Sequence, residues 1–362
     1  MTEQSGKYCL DWPYAYGGPQ ATGLFRQQLG DFCVDEALGF DPLGEGEHVY
    51  LHIEKRGDNT AWLARQIARL AEVQPMDVGY AGLKDRHGIT RQWFSVYFPK
   101  GEEPQWQSLN SDSVTLLTVT RHTKKLRRGS HAGNDFRIRL RDLSGDLQGL
   151  SQRLAEVAQG GVPNYFGPQR FGHDGNNLLE AERLLVEGGK IKNRQKRGLI
   201  LSAARSYLFN SVLSNRVASG SWKTLLEGEP LAVSNQQPSA ILNQAPSAML
   251  SEEASGTVEQ ERVDQILTTG PLWGRGRPLS SGECLALESE LLSPLAAWRD
   301  GLEHVGLSQE RRNLHLVPQG FSSSLLGDCL EVSFHLPPGA YATVVLRELL
   351  VLKDVSLSQD MV

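Results

Sequence analysis

Asn134-Asp135-Phe136-Arg137-Ile138-Arg139-Leu140-Arg141-Asp142-Leu143 decides the fold, because its residues alternate in character with a period of two. Phe136, Ile138 and Leu140 fall on one face of a strand, and Arg137, Arg139 and Arg141 on the other. One face needs a core; the other needs water or an anion. Upstream, Phe32 and Val34, then Val49, Leu51 and Ile53, read as strands around the turn FDPLGEGE. Asp58-Asn59-Thr60 caps a helix over 60–72, with Leu63, Ile67 and Leu70 on one side. VGYAGLKDRHGITRQWFSVYF then predicts a strand, a loop from Gly82 to Gly88 and a second strand, and residues 115–120 predict another. The first 30 residues, rich in Gly, Pro and Tyr, read as chain running along the surface.

Past residue 150 the period becomes helical. Leu150, Leu154 and Val157 mark one helix, and residues 178–187 a second, ended by Gly188-Gly189. Leu201, Ala204, Leu208 and Val212 mark a third over 199–218, and a single helix follows near 284–303. Residues 229–260, where PSAIL is echoed by PSAML, read as surface loops with short elements. Strand character returns at 329–336, and after Pro337-Pro338-Gly339 the residues Ala342, Val345, Leu346, Leu349 and Leu350 signal a helix. Strand-rich ends around a helix-rich middle predict a mixed-sheet domain with a second domain inserted into it.

At 362 residues the chain is long enough for two domains with real cores. Its 40% apolar and 22% charged residues exclude wholesale disorder. Cys9, Cys33, Cys284 and Cys329 form no CxxC, which excludes a cysteine zinc site and a disulfide framework and fits a reducing, cytoplasmic compartment. No apolar run approaches the length of a membrane span, and the N-terminus lacks a signal peptide's basic flank and apolar run. The net charge of −5 argues against a protein that simply coats nucleic acid. Yet residues 121–141 hold eight Lys or Arg against one acid, and residues 190–205 hold six with none. Basic fields on an acidic chain suit a shaped polyanion site, although two solvated loops would have the same composition.

No P-loop, HExxH or GxSxG is present, and His48 and His52, four apart on a strand, are too far apart to share one zinc. No metal and no cofactor are expected. The most loaded segment is Gly82-Leu83-Lys84-Asp85-Arg86-His87-Gly88. Flanking cations favour an ionised Asp85, and the glycines permit a tight turn and close approach of a ligand. Such a carboxylate can act as nucleophile or base, though a solvated charged turn looks similar. Three further segments bear on the choice. Arg26 lies upstream of Phe32, an aromatic that could stack on a flipped base. Asn134 follows Arg127, Arg128 and a glycine-rich turn and could bond the edge of a pyrimidine. Asn164-Tyr165-Phe166-Gly167-Pro168-Gln169-Arg170-Phe171-Gly172 interleaves aromatics with a cation, which suits single-stranded RNA or a rigid interdomain hinge.

Six ordered blocks, FRQQLGDFCVDE, GYAGLKDRHGITRQWFS, LRRGSHAGNDFRIRLR, VPNYFGPQRFG, PLWGRG and LPPGAYATVVLREL, make the chain resemble the TruD family of tRNA pseudouridine synthases over almost its whole length. The resemblance implies an α+β fold: a pseudouridine-synthase domain with a mixed, largely antiparallel sheet and flanking helices, over residues 1–159 and 316–362. The α/β TRUD domain of the family would be inserted over 160–315. It implies a cofactor-independent isomerase acting on a uridine of tRNA, at position 13 of the D arm. By residue, Asp85 matches the catalytic aspartate, Phe32 the base-stacking aromatic, Arg26 the partner of the catalytic carboxylate and Asn134 the base-contacting asparagine. Tyr341 falls where several members carry phenylalanine, so its hydroxyl needs a partner. Lys84, Arg86, Arg127, Arg128, Arg137, Arg139 and Arg170, with the cluster 190–197, are the candidates for RNA phosphate contacts. A monomer, no membrane and tRNA as partner complete the expectation. An RNA-binding protein without catalysis and an Asp85-dependent phosphate hydrolase are the rivals; no second acidic ligand lies near Asp85 for the latter.

Overall fold

The structure, a computed structural model, describes residues 7–233, 241–242 and 266–356, so most of the 229–260 segment lies outside the described residues. The chain divides into two compact units, Pro19–Gly160 with Val317–Val362, and Met1–Gly18 with Gly161–Leu316. The boundaries differ from expectation at the N-terminus. Residues there group with the 161–316 unit because Trp12 stacks on Tyr165 with centroids 5.9 Å apart, and Tyr8 meets Tyr207 and Trp298, each at 5.4 Å.

The strands are β1 Ala21–Phe25, β2 Phe32–Ala37, β3 His48–Arg56, β4 Val78–Tyr80, β5 Ile89–Tyr97, β6 Val114–His122 and β7 Gly133–Gly145. In the other unit follow β8 Val162–Pro163, β9 Leu231–Val233, β10 Ile241–Leu242, β11 Ile266–Leu267, β12 Thr269–Leu272, β13 Glu310–Asn313 and β14 His315–Leu316. The tail adds β15 Gln319–Leu326, β16 Cys329–Leu336 and β17 Val351–Asp354. The helices are α1 Thr60–Leu70, α2 Leu147–Gly160, α3 Asn176–Leu185, α4 Arg194–Ala218, α5 Gly282–Leu291, α6 Ala296–His304 and α7 Ala342–Leu349.

The first unit is built on a 10-stranded sheet in the order β15-β16-β7-β2-β5-β3-β6, with β1 beside β7 and β17, and β4 on β5. Only β1–β17 and β2–β5 pair in parallel, so the sheet is mixed and largely antiparallel and the fold is α+β. β1 overturns the reading of residues 1–30 as surface chain, since Ala21 and Phe25 are buried. Five residues with a central glycine carry almost no periodic signal, and the parallel partner β17 lies at the far end of the chain. Asn59 caps α1 by accepting from the Ala61 amide at 2.8 Å. Leu63 and Ile67 then pack on Val49, Leu51, Ile53, Phe94 and Val96. Fully burying each such side chain contributes about 1.5–3 kcal/mol.

Register decides where polar groups meet. Phe32, Val34 and Glu36 of β2 lie opposite Ile138, Phe136 and Asn134 of β7. Val34 lies opposite Thr90, and Thr90 and Gln92 lie opposite Lys55 and Ile53. Directly opposed residues share a face, so one face runs from apolar Ile138 and Phe136 to polar Asn134, Glu36, Gln92 and Lys55. On the opposite face of β7, where water or an anion was expected, two of the three arginines already have carboxylate partners. Arg139 pairs with Glu331 at 2.8 Å, and Arg141 makes three hydrogen bonds of 2.7–3.0 Å to the buried Asp31.

In the second unit, α4 packs against α3, α5, α6 and β12, and the small sheets are β12–β13, β8–β14 and β10-β9-β11. The single helix expected near 284–303 is two, α5 and α6, separated by a turn at Ser293–Leu295. Pro294 has no N–H to continue the ladder. Tyr165, Phe166 and Phe171 are buried, and the Asn210 amide holds both backbone groups of Phe166 at 2.9 and 3.0 Å. The rings of the 164–172 segment are therefore core and not open to nucleobases, while Pro168 and Gln169 stay exposed.

Candidate active site

The Gly82–Gly88 loop lies over the polar end of that sheet face and is tied down at successive points. The Gly82 carbonyl accepts from Gln92 Nε2 at 3.3 Å, and the Lys84 amide donates to Thr60 Oγ1 at 3.1 Å. The Asp85 carbonyl accepts from Lys55 Nζ at 2.8 Å. Gly88 is required by close approach: a Cβ there would come within 2.5 Å of the Phe32 carbonyl oxygen and 2.9 Å of its ring. Neither Gly82 nor Gly88 has a positive φ, so it is close approach and not a left-handed backbone that calls for glycine at position 88.

The backbone of Asp85 is anchored, but its side chain is 43% exposed. Oδ1 accepts from Arg26 Nη1 at 3.2 Å, and Oδ2 has no partner among the described residues. Arg26 occupies the left-handed region, with φ 61°, a strained setting for a non-glycine residue. From there its guanidinium pairs with Asp85 on one side and Asp354 on the other, and lies over the rings of Phe25 and Phe32 at 4.8 and 6.0 Å. Burial pushes the Asp354 carboxyl up, but hydrogen bonds from Arg26 and Ser356 outweigh it and hold the group below its ordinary value.

The cation beside Asp85 is therefore Arg26 and not its sequence neighbours. Lys84 turns inward: its side chain is 6% exposed, with Nζ 2.5 Å from Glu36 Oε2 and 2.8 Å from Asn134 Oδ1. That removes it from the phosphate-contact candidates. Arg86 is exposed and reaches the Gly57 carbonyl at 3.4 Å. Lys55 is fully buried, holding the carbonyls of Asp58 and Asp85, each at 2.8 Å. Burial pushes its ammonium down to about 8, against the opposing pull of Asp85 and Asp58.

Phe32 and Asn134 flank the loop: the Gly88 end abuts Phe32, and Lys84 grips Asn134. Phe32 is only 5% exposed and packs edge-on against Phe25 at 5.6 Å, so a base can stack on it only after its cover, including Arg26, shifts. Asn134 is half-buried, with Nδ2 3.4 Å from Nε2 of the buried His131. Burial, aided by Lys84, lowers the His131 imidazole below its ordinary value. Tyr341 is half-buried just ahead of α7, after Leu336 of β16, whose Cα pairs with Asn134.

The other candidates divide. Arg127 and Arg128 are exposed on a turn docked to the loop strand through Gly129 N to Ala81 O, 2.8 Å. Arg137 is exposed beside Cys33 Sγ at 3.7 Å, whereas Arg139 is engaged by Glu331. Arg170 belongs to the second unit, where it lies over Phe166 at 5.5 Å and donates to Ser202 at 3.2 Å. In that unit Arg183, Lys190, Lys192 and Lys196 line an open hollow of about 360 Å³, with Lys196 already paired to Glu180.

The sequence reading missed Lys55, Glu36, His131 and Asp354. Lys55 was detectable, because positions 49, 51, 53 and 55 share one side of a strand and a lysine at the end of that row breaks the pattern. Asp354 gives no local signal. Among the described residues no cluster of three His, Cys, Asp or Glu could hold a metal ion, and no helix is long and apolar enough to cross a membrane.

Comparison with known proteins now bears on this geometry. The family model for tRNA pseudouridine synthase D (TruD) matches residues 12–193 and 189–349. The tRNA pseudouridine synthase D of Cellvibrio japonicus is 52% identical, covering 97% of this chain and 96% of its own. That of Methylococcus capsulatus is 48% identical, covering 94% of each. A crystal structure from Methanosarcina mazei, described as tRNA pseudouridine synthase D, is 21% identical, covers 93% of this chain and 95% of its own, and has a TM-score of 0.65, showing a shared fold. With near full-length matches at about half identity, the chain belongs to the tRNA pseudouridine synthase D (TruD) family of isomerases.

Proposed function

We propose that the chain converts uridine 13 in the D arm of tRNA to pseudouridine, with Asp85 as the catalytic carboxylate and no cofactor. The unit built on the ten-stranded sheet carries the chemistry, and the 161–316 unit is the family's insertion. The observation that carries the reading is Asp85 itself. Its backbone is anchored, one oxygen is held by Arg26, and the carboxylate stays open to solvent among buried neighbours.

The reaction breaks the C1′–N1 bond, turns the uracil, and forms C1′–C5. N1 gains a proton and C5 loses one, so no atom is gained overall. An anchored carboxylate can begin this by attacking C1′, by attacking C6 of the base, or by removing a ribose proton toward a glycal. Taking the base out of its stack costs a few kcal/mol. Phe32 supplies stacking once Arg26 shifts, Asn134 contacts the base edge, and Tyr341 lines the pocket. Arg86, Arg127, Arg128 and Arg137, with the 190–197 cluster, are the exposed cations suited to the RNA backbone. A reducing cytoplasm fits four free cysteines, and a monomer is part of the same proposal.

Tritium release from tRNA labelled at uracil C5, combined with mapping of the modified position, tests the reading. The wild type should release label from position 13 alone. Asp85→Asn should release none while binding tRNA equally or more tightly, because a negative charge has left a site facing phosphate. Full activity in that variant, or modification elsewhere, overturns the proposal.

A further inference from the structure

We infer that Lys84 is a positioning residue that turns the Asn134 amide so that its NH2 group, a donor, is what a bound base meets. The inference rests on the reading of Asn134 as a base contact and adds which edge of the amide is used and what sets it.

An ammonium can only donate, so the Asn134 atom 2.8 Å from Lys84 Nζ has to be the amide oxygen. Lys84 cannot swing away easily. Its side chain is 6% exposed and its charge is held 2.5 Å from Glu36, whose side chain is fully buried. Glu36 is itself fixed, since Oε1 accepts the Trp93 amide at 3.1 Å. Removing one member of such a buried pair leaves the other charge unpaired and is strongly unfavourable, so the oxygen end of the amide is committed.

The other end is NH2. One of its hydrogens is within reach of His131 Nε2 at 3.4 Å, which can accept when the ring proton sits on Nδ1. The second is left for a ligand. A fixed donor prefers a carbonyl oxygen. Uracil offers O2 and O4, whereas cytosine carries an amino group in place of O4, which would set donor against donor. A site built to pair one such group rejects the analogue that lacks it. Lys84 also adjoins Asp85 in sequence, and its amide is bonded to Thr60 Oγ1 at 3.1 Å. One residue thus couples the position of the carboxylate loop to the orientation of the base-reading amide.

The experiment is a mutant cycle read by kcat and KM for tRNA. Glu36→Gln/Lys84→Met removes both charges, so neither is left buried and unpaired. It should lower kcat about 30-fold or more with KM within about threefold. Adding Asn134→Ala should lower kcat by less than about threefold further, because the orientation is already lost. Losses that multiply, or a pair variant within about threefold of wild type, overturn the inference. So does a drop of about one in the salt slope of tRNA binding, which identifies Lys84 as a phosphate contact. Asn134→Asp keeps an acceptor toward Lys84 and replaces the donor by oxygen, and because it sets a second carboxylate beside the buried Glu36 its folded fraction is measured by thermal melting and activity is compared per folded molecule. It should be less active than Asn134→Ala, and equal activity overturns the inference. Wild-type activity in Asn134→Ala alone instead fells the base-contact reading, and this inference with it.

Discussion

Arg26–Asp85 and Arg311–Glu288 are both arginine–carboxylate pairs, and they could hardly differ more in setting. In the second unit, Glu288 and Arg311 are each 3% exposed. Glu288 Oε1 accepts from Arg311 at 2.7 Å and Oε2 from Ser280 at 2.6 Å, so both oxygens are used. Arg216–Glu229 in the same unit follows this pattern, with Thr269 and Leu226 amides completing the carboxylate. Asp85 has one oxygen bonded and a side chain 43% exposed. A fully satisfied buried pair is structure; a pair with free lone pairs on an anchored backbone retains capacity for chemistry.

Reciprocal variants should separate the two kinds most sharply. Asp85→Asn should lose about 1,000-fold or more in pseudouridine formation, equivalent to roughly 4 kcal/mol, and melt within a few degrees of wild type. Glu288→Gln should lose about 3–5 kcal/mol of stability in urea titration while the folded fraction turns over normally. If Glu288→Gln instead lost turnover in a stable protein, the contrast would be void.

Lys55 lies between these extremes, buried like Arg311 but bonded to the loop that carries Asp85. Unfolded, it holds its proton up to its ordinary 10.5; folded, only up to about 8. In that window the unfolded chain binds more protons, so this group makes stability rise with pH. The stability of wild type relative to Lys55→Met should therefore increase between pH 8 and 10.5, by an amount on the order of 1–3 kcal/mol. Melts of the two proteins across that range would show it, and a flat difference would remove the buried charge from the account.

Asp354 probes the far side of Arg26. Its carboxyl is held below the ordinary 3.8. The stability it contributes is present above that value and lost as pH falls through its lower folded value. Asp354→Asn should melt below wild type at neutral pH and converge with it in acid. The smallest effect is expected at Arg139, whose exposed pair with Glu331 is the surface counterpart of these bonds. Arg139→Gln should change stability by less than about 1 kcal/mol and leave turnover intact.

The elements with long, regular periods were legible without coordinates. β7, α1 and α4 each repeat their apolar residues several times, and local pattern is enough to place them. β1 was not, since its five residues become a strand only against β7 and β17. The arginines of β7 were read correctly as facing away from the apolar side. The pairing of Arg139 and Arg141 was invisible because Glu331 and Asp31 come from elsewhere in the chain. Of the two readings of the aromatic run at 164–172, single-stranded RNA or a rigid hinge, stacking on RNA does not fit, because its rings are buried.

Sequence alone determined the alternation of β7, the glycine-bounded loop with Asp85 at its centre, and the ordered blocks that mark the family, because each is written in neighbouring residues. The pairing of Arg26 with Asp85 was expected from the family resemblance, but only the tertiary structure decided that Lys84 points inward to Glu36 and Asn134, and that Lys55 braces the loop from beneath. Those choices depend on strand register and burial, which bring together residues far apart in the chain and set whether a charge faces water, a partner or a substrate.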